Sequence, residues 1–189
     1  MSEKVIDILK SAEKSLFTFE LLPPLKGHTI EEIYAAIDPL VKYAPAYINV
    51  TYHQQETEYF ERPDGLLEKR IVRKRPGTVA IAAAIKYRYN LPVVPHLICG
   101  GFTREETEDA LIDLHFLGIR NVLVLRGDAH KGQRRFKAEP GGHAHASDLV
   151  SQVQDMNRGV YLHDLHNASP TDFCIGVAGY PEKHIEAAN

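Results

Sequence analysis

The sequence predicts an α/β protein, a (β/α)8 TIM barrel that is truncated after its fifth strand. Five short apolar segments alternate with segments in which apolar residues recur at helical spacing. None of the five alternates strictly between apolar and polar residues, a pattern typical of parallel strands buried on both faces. The first strand runs into Leu22-Pro23-Pro24, where an open dinucleotide-binding sheet has a G-x-G-x-x-G turn. A closed barrel is therefore favoured over an open, doubly wound sheet.

The length of the chain limits how much of such a barrel it forms. A complete barrel of this class has eight strands, whereas the 189 residues contain five strand-like segments. The composition, with 44% hydrophobic and 25% charged residues, is that of a folded globular domain. We therefore expect residues 1–189 to form a single partial barrel domain, the first five β/α units of a longer domain.

The first part of the chain contains two predicted strands and one predicted helix. Residues 17–22 (FTFELL) form an apolar run that predicts a buried strand, and apolar residues between Ile30 and Val41 recur at helical spacing. The second strand is predicted over residues 46–52. Residues 53–77 are charged and irregular, which predicts an extended loop with a helical piece.

The second part of the chain shows clearer helix boundaries. Thr78 is a predicted N-cap of the next helix, and Ser147 of a later one. Between them, Thr103 and Glu106 form a capping-box pattern at the start of a helix that Gly118 ends. The remaining strands are predicted over residues 91–99, 121–127 and 173–180.

Several classes of protein are disfavoured by the bulk properties. The net charge of -3 argues against a nucleic-acid-binding surface, because such surfaces are basic. No apolar stretch approaches the roughly 20 residues of a membrane span, and the N-terminal residues lack a signal-peptide core. Cys99 and Cys174 lie in apolar sequence, which indicates buried thiols in a reducing environment. We therefore expect a cytoplasmic protein without a nucleic-acid or membrane partner.

Two histidine pairs have short spacings that are compatible with metal binding. They are His143-x-His145 and His163-x-x-His166. Neither pair comes with clear carboxylate or thiolate partners, and both lie in loop-like sequence, so the sequence predicts no metal site.

Polar residues end each of the five predicted strands. Because a barrel places its chemistry at the carboxyl ends of its strands, these residues should converge on one mouth. The groups are Glu20, Thr51-Tyr52-His53, His96, Arg126-Gly127-Asp128 and Tyr180.

Glu20 is the sharpest of these candidates, because an unpaired carboxylate is costly within an apolar strand. Thr18, Glu20 and Leu22 share one face of the predicted strand. A carboxyl at a barrel rim among apolar neighbours is placed to act as a general acid. The alternative is a structural carboxylate paired with a base such as Lys26 or Arg126.

The LRGD segment and His96 also have a functional and a structural interpretation. In LRGD, Arg126 is suited to bind a phosphate or carbonyl, Gly127 lets the backbone approach a ligand, and Asp128 is suited to stabilise a developing cation. The alternative is an ordinary Arg–Asp turn. His96 follows Pro95 in a stiff apolar segment and is either a donor to a ligand or a satisfied core histidine.

Six motifs, in order, resemble the methylenetetrahydrofolate reductase family of the bacterial type. The resemblance covers nearly the whole chain from Phe17 onward. The motifs are FTFELLPP (17–24), INVTY (48–52), PHLIC (95–99), NVLVLRGD (121–128), HASDLV (145–150) and GVAGYPEKH (176–184).

This resemblance implies a (β/α)8 barrel that carries FAD. It implies the reduction of 5,10-methylenetetrahydrofolate to 5-methyltetrahydrofolate with NAD(P)H, by a ping-pong hydride transfer through the flavin. By position, Glu20 is similar to the general acid that helps open the methylene bridge. Asp128 is similar to the carboxylate that binds folate and stabilises the resulting cation.

The resemblance also implies a set of cofactor contacts. Positions matching flavin contacts are Thr51, Tyr52, His96, Arg126, Gly127, Asp128, His145 and Ala146. After the fifth strand, the matching contacts are Tyr180, His184 and Ala187. The chain departs from the family pattern at His53-Gln54-Gln55, where small residues are common, and at His145, where tyrosine is common.

Two other functions compete with this interpretation. A partial barrel implies a non-catalytic fragment that binds flavin or a partner, and its two open sheet edges imply a homo-oligomer. Another FAD-dependent barrel enzyme, similar to proline dehydrogenase, is a third interpretation, but it leaves the combination of LRGD and FELLPP without an explanation.

Overall fold

The computed structural model describes residues 3–129, 133–179 and 182. The helices are α1 (Val5–Ser11), α2 (Ile30–Ile37), α3 (Thr78–Tyr89), α4 (Arg104–Phe116) and α5 (Ala146–Asn157), with a 3-10 turn at Val41–Tyr43. The strands are β1 (Phe19–Leu21), β2 (Ile48–Val50), β3 (Glu56–Glu61), β4 (Leu67–Val72), β5 (Val93–Ile98), β6 (Asn121–Leu125) and β7 (Cys174–Val177).

Five of the strands form one parallel sheet, which confirms the predicted α/β class. Their spatial order is β1-β2-β5-β6-β7, so each new strand is added on the same side of the preceding one. A doubly wound sheet reverses this direction at its switch point. The unreversed order is the winding of a barrel, and the described residues form a partial (β/α) barrel.

The hydrophobic core lies between the parallel sheet and helices α2 to α5. Because successive residues of a strand point to opposite faces, Leu97 and Val122 pack under the helices while His96 and Leu123 face the other way. Each fully buried aliphatic side chain stabilises the fold by about 1.5–3 kcal/mol. The largest fully buried side chains include Ile37, Ile85, Leu111, Leu114, Leu149 and Met156 from the helices, and Ile48, Val50 and Val124 from the strands.

Of the three predicted helix caps, one is confirmed and two are wrong. Thr103 Oγ1 accepts a hydrogen bond from the Glu106 amide at 3.2 Å, and Glu106 Oε2 accepts one from the Thr103 amide at 2.8 Å. Thr78 is instead the first residue of α3, where its hydroxyl donates to the His96 carbonyl at 3.3 Å. The N-cap of α5 is His145, two residues before Ser147, and its amide donates to Asp148 Oδ2 at 3.0 Å.

The expectation of a loop with a helical piece over residues 53–77 is wrong. This stretch contains an antiparallel hairpin of β3 and β4, in which Glu56 pairs with Val72 and Glu61 with Leu67. Its turn is closed by the Arg62 amide, which donates to the Leu66 carbonyl at 2.8 Å. The signal was present in the sequence, because Pro-Asp-Gly between two β-prone segments is a typical hairpin turn.

The first strand is shorter and more exposed than predicted. Only Phe19–Leu21 pair with β2, and the flanking Phe17 and Leu22 are 63% and 48% exposed. The reason is position, since β1 lies at one edge of the sheet and β7 at the other. The fifth predicted strand, over 173–180, is observed as Cys174–Val177, while Tyr180 lies outside the described residues.

Candidate active site

The carboxyl ends of the parallel strands open onto one cavity of about 990 Å3. Residues predicted from separate motifs therefore meet in space, as strand ends in a barrel should. Of the predicted site residues, the cavity is lined by Glu20, Thr51, Tyr52, His96, Arg126, Gly127, Asp128 and Ala146. His145 immediately precedes Ala146 and is exposed, whereas Tyr180, His184 and Ala187 lie outside the described residues.

Glu20 and His96 face each other across the end of β2. The distance from Glu20 Oε2 to His96 Nε2 is 3.8 Å, and the side chains are 61% and 6% exposed. Glu20 is thus not enclosed by apolar neighbours as its sequence context predicted, because β1 is an edge strand and its side chain opens onto the cavity. The carboxyl has access to solvent and to a bound ligand.

His96 is buried at the base of the cavity. Its Nε2 atom is buried without a hydrogen-bond partner in the described part of the chain. Burial lowers the pKa of His96 below its ordinary value, and the Glu20 carboxylate opposes that shift. A buried polar atom without a partner is costly, so this geometry does not match a satisfied core histidine. The neutral imidazole leaves Nε2 available to a ligand.

Stability should depend on pH through His96. Its pKa is lower in the folded chain than in the unfolded chain, where it is about 6.5. The contribution of neutral His96 to stability is therefore fully present at pH values above the pKa of the unfolded chain. It is lost as the pH falls toward the lower pKa of His96 in the folded chain. Urea unfolding of the wild type between pH about 8 and about 5 should show a steeper loss of stability than His96→Gln. His53→Gln, which removes an exposed imidazole, is the control; identical pH profiles for wild type and His96→Gln would contradict the expectation.

The residues that follow β2 form one wall of the cavity. The amide and the hydroxyl of Thr51 both donate to the Leu21 carbonyl, at 3.0 and 3.3 Å, which fixes the ends of β1 and β2 together. The Tyr52 ring packs edge-on against Phe102 at 5.1 Å between centroids, and the Arg73 guanidinium lies 5.8 Å from the Tyr52 centroid. Burial raises the pKa of Tyr52, so its phenol stays protonated.

The turn after β6 forms another wall of the cavity. Gly127 has a φ of +82°, a left-handed conformation that glycine adopts at little cost. A Cβ atom there would lie 3.4 Å from Ile98 Cβ, so the turn sits closely on β5. The Arg126 guanidinium lies 5.4 Å from the centroid of the Phe136 ring, and Asp128 is exposed at the cavity. The turn thus presents a cation, a bare backbone segment and a carboxylate to the same space.

Sequence reasoning missed Gln54, which lines the cavity, and Arg73, which lies next to the lining residue Tyr52. Gln54 connects the two walls, because its Nε2 donates to the Asp128 carbonyl at 3.0 Å. Arg73 approaches Tyr52 because it directly follows the hairpin, an element that the sequence analysis did not predict. The departure from the family pattern at His53-Gln54-Gln55 was the available signal.

A second, smaller cavity of about 520 Å3 lies between α4 and α5 and contains none of the predicted catalytic or cofactor-binding residues. His143, from one of the two histidine pairs, is buried there with its Nε2 2.5 Å from Gln152 Oε1. Among the described residues, no group of three or more His, Cys, Asp or Glu side chains is arranged to hold a metal ion. Nor does any helix in that part of the chain have the length and apolarity needed to cross a bilayer.

The fold and the cavity together define a class: a β/α barrel-type protein whose polar strand ends line a ligand-sized pocket. The family model described as methylenetetrahydrofolate reductase matches residues 4–189. The chain therefore belongs to the methylenetetrahydrofolate reductase family, which confirms the resemblance predicted from the motifs.

Curated relatives agree with this assignment. Methylenetetrahydrofolate reductase (NADH) 1 of Arabidopsis thaliana is 30% identical over 184 residues, which cover 96% of this chain and 26% of the relative. The 5,10-methylenetetrahydrofolate reductase of Pectobacterium carotovorum subsp. carotovorum is 30% identical over 172 residues, 90% of this chain and 45% of the relative. The enzyme of the same name from Escherichia coli strain K12 is 29% identical over 170 residues, again 90% and 45%. The chain thus spans between about a quarter and less than half of the length of these relatives.

Proposed function

We propose that this chain takes part in the reduction of 5,10-methylenetetrahydrofolate to 5-methyltetrahydrofolate, with NAD(P)H as reductant and FAD as cofactor. The proposal rests on one observation above all. In a chain of this family, Glu20, His96 and the Arg126-Gly127-Asp128 turn line the same cavity although they are far apart in sequence. A general acid, a ligand-binding imidazole and a carboxylate are thereby available to one substrate.

The residues present fit a flavin. The cavity of about 990 Å3 is at the upper end of the range for ligand pockets, which suits a large cofactor. Among the described residues, His96 Nε2 is buried there without a hydrogen-bond partner, and Gly127 leaves a bare backbone segment at another wall. Bound FAD supplies a carrier that receives hydride from NAD(P)H and passes it to the folate. The residues proposed to hold it are Thr51, Tyr52, His96, Arg126, Gly127, Asp128, His145 and Ala146, with Tyr180, His184 and Ala187 from outside the described residues.

The chain's own residues supply the proton and charge chemistry. Glu20, exposed to the cavity, donates a proton to the folate nitrogen as the methylene bridge opens. The substrate then carries a positive charge, and the Asp128 carboxylate, which lines the same cavity, stabilises it. His96 remains neutral because it is buried, so it binds through Nε2 without adding a repelling charge. Tyr52, with its phenol protonated, closes the side of the cavity next to Phe102.

The test is to incubate the purified protein with FAD, to remove free flavin by desalting, and to follow two half-reactions separately. We expect flavin absorbance to remain with the protein, to bleach on addition of NADH or NADPH, and to return when 5,10-methylenetetrahydrofolate is added. Retained flavin without either half-reaction would instead establish a non-catalytic flavin-binding role. Absence of retained flavin would contradict the proposal, and the relative bleaching rates would define the nicotinamide preference.

A further inference from the structure

Gln54 connects two loops that leave strands on either side of β5. It follows β2, and its Nε2 atom donates to the carbonyl of Asp128, which follows β6, at 3.0 Å. Strand β5 lies between β2 and β6 in the sheet, so this hydrogen bond crosses above the end of β5. The Gln54 amide therefore acts on the backbone of a residue to which we have assigned an electrostatic role.

Space for this crossing depends on Gly100, in the turn that follows β5. A Cβ atom at Gly100 would lie only 2.7 Å from Gln54 Oε1 and 3.4 Å from Phe136 Cε2. The Gln54 side chain thus lies directly over the bare backbone of this glycine. Any larger residue at position 100 would displace the amide, which is the flexible end of a long side chain.

The arrangement is unfavourable for stability. Gln54 Oε1 is buried and has no hydrogen-bond partner in the described part of the chain. Leaving a buried acceptor unsatisfied costs free energy, whereas an apolar side chain of similar shape avoids that cost. An unsatisfied buried group in a folded protein calls for an explanation, and a functional role is one such explanation.

We propose that Gln54 is a positioning residue that holds the Asp128 turn against the cavity, a role that rests on the proposed function of Asp128. The hydrogen bond from Nε2 fixes the Asp128 carbonyl, and this fixes the direction in which the Asp128 side chain leaves the turn. The Gln54 side chain reaches Asp128 by passing over Gly100, so the proposed positioning depends on both Gln54 and Gly100. Gln54 contacts the backbone of the turn, and its effect on substrate passes through Asp128.

The first test measures hydrogen exchange in the turn after β6 and needs no ligand. Hydrogen exchange of the purified protein, followed by mass spectrometry, should show faster exchange in peptides covering residues 121–129 for Gln54→Leu and for Gly100→Ala. Gln154→Leu, at an exposed position on α5, is the matched control and should exchange as the wild type does. Unchanged exchange in this peptide for both variants would overturn the proposal, whether or not the protein binds flavin.

The second test separates positioning from a role in the fold. Gln54→Leu should change the melting temperature little, because loss of the hydrogen bond to Asp128 is offset by removal of an unsatisfied acceptor. It should slow the folate half-reaction up to about tenfold, the worth of one hydrogen bond. Reduction of the flavin by nicotinamide should change less. A fall in melting temperature with equal loss of both half-reactions would overturn the proposal. If wild-type protein bound no flavin, the proposed function would fail, while the exchange result would still decide the role of Gln54.

A third test uses pH. In Gln54→Glu, a protonated carboxyl can donate to the Asp128 carbonyl, whereas a carboxylate cannot. The test measures hydrogen exchange in residues 121–129 and the rate of the folate half-reaction, each as a ratio to wild type at the same pH. Both ratios should return toward one as the pH falls from about 8 toward the carboxyl pKa, ordinarily about 4.3. Gln54→Leu should show no such recovery. The same ratio at every pH in Gln54→Glu would contradict the donor role.

Discussion

Glu20→Gln is expected to abolish folate reduction while the flavin is still reduced by NAD(P)H. The amide keeps the size of the side chain and its place opposite His96, but it has no acidic proton to transfer to the folate nitrogen. Loss of a general acid slows a reaction by about 10²–10⁴-fold. The nicotinamide half-reaction does not require this proton, so it should keep its rate. Rapid mixing with each substrate in turn measures the two steps separately.

A matched control excludes a general effect of losing a carboxylate. Glu13→Gln neutralises an exposed carboxyl outside the cavity and should leave both half-reactions unchanged. If Glu20→Gln slowed both half-reactions equally, Glu20 would be required for flavin binding or for the shape of the cavity instead. The retained flavin per protein, measured after desalting, distinguishes these two causes.

Asp128→Asn is expected to have the second largest effect. The substitution preserves shape but removes the negative charge that is proposed to stabilise the developing cation. Removal of one well-placed electrostatic contact costs about 10²–10³-fold in rate, and the loss should fall on the folate half-reaction. Folate binding should also weaken, because the carboxylate is a proposed contact of the substrate. Folate titrations and single-turnover rates of the reduced protein measure both quantities.

The control for Asp128 lies on α4. Asp109→Asn removes an exposed carboxylate from the outer surface and should behave as the wild type does. Folate reduction at the wild-type rate by Asp128→Asn would exclude an electrostatic role for this carboxylate. A loss of retained flavin would instead show that Asp128 acts mainly through the cofactor.

Substitutions of Glu20 and Asp128 are expected to act on the chemical step, whereas a substitution of Gln54 is expected to act on the position of the turn after β6. Glu20 and Asp128 are proposed to contact the substrate, so their loss should leave hydrogen exchange in the turn after β6 largely unchanged. Gln54 contacts only the backbone of that turn in the described structure, so its loss should alter exchange and produce a smaller change in rate. Comparison of the three variants therefore separates chemistry from positioning within one cavity.

Much of the fold was predictable because the responsible interactions are local. A strand buried on both faces must be apolar along its whole length, which is the physical reason that the inner strands β2, β5 and β6 could be recognised. The edge strands β1 and β7 were recognised by the same apolar pattern although they are less buried. The capping box of α4 was predicted because Thr103 and Glu106 contact each other within one helical turn. The hairpin was missed although Asp64-Gly65 is a turn signal, because the charged residues that alternate along β3 and β4 were interpreted as a loop.

The order of strands along the chain and the polar residues at their ends were present in the sequence. They were sufficient to predict a barrel and the polar strand ends that line one cavity, whereas the family and the contact at Ala146 were predicted from the ordered motifs. Local patterns contain this information because strand and helix periodicity reflect which face is buried. The motif order added specificity that no single strand end provides.

Contacts between loops were decided only by the tertiary structure. The exposure of Glu20 follows from the edge position of β1. The lack of a hydrogen bond to His96 Nε2 among the described residues follows from the burial of β5 between β2 and β6, and the Gln54–Asp128 contact depends on the distance between two loops. No periodicity encodes these properties, because each depends on residues far apart in sequence that only the pairing of the strands brings together.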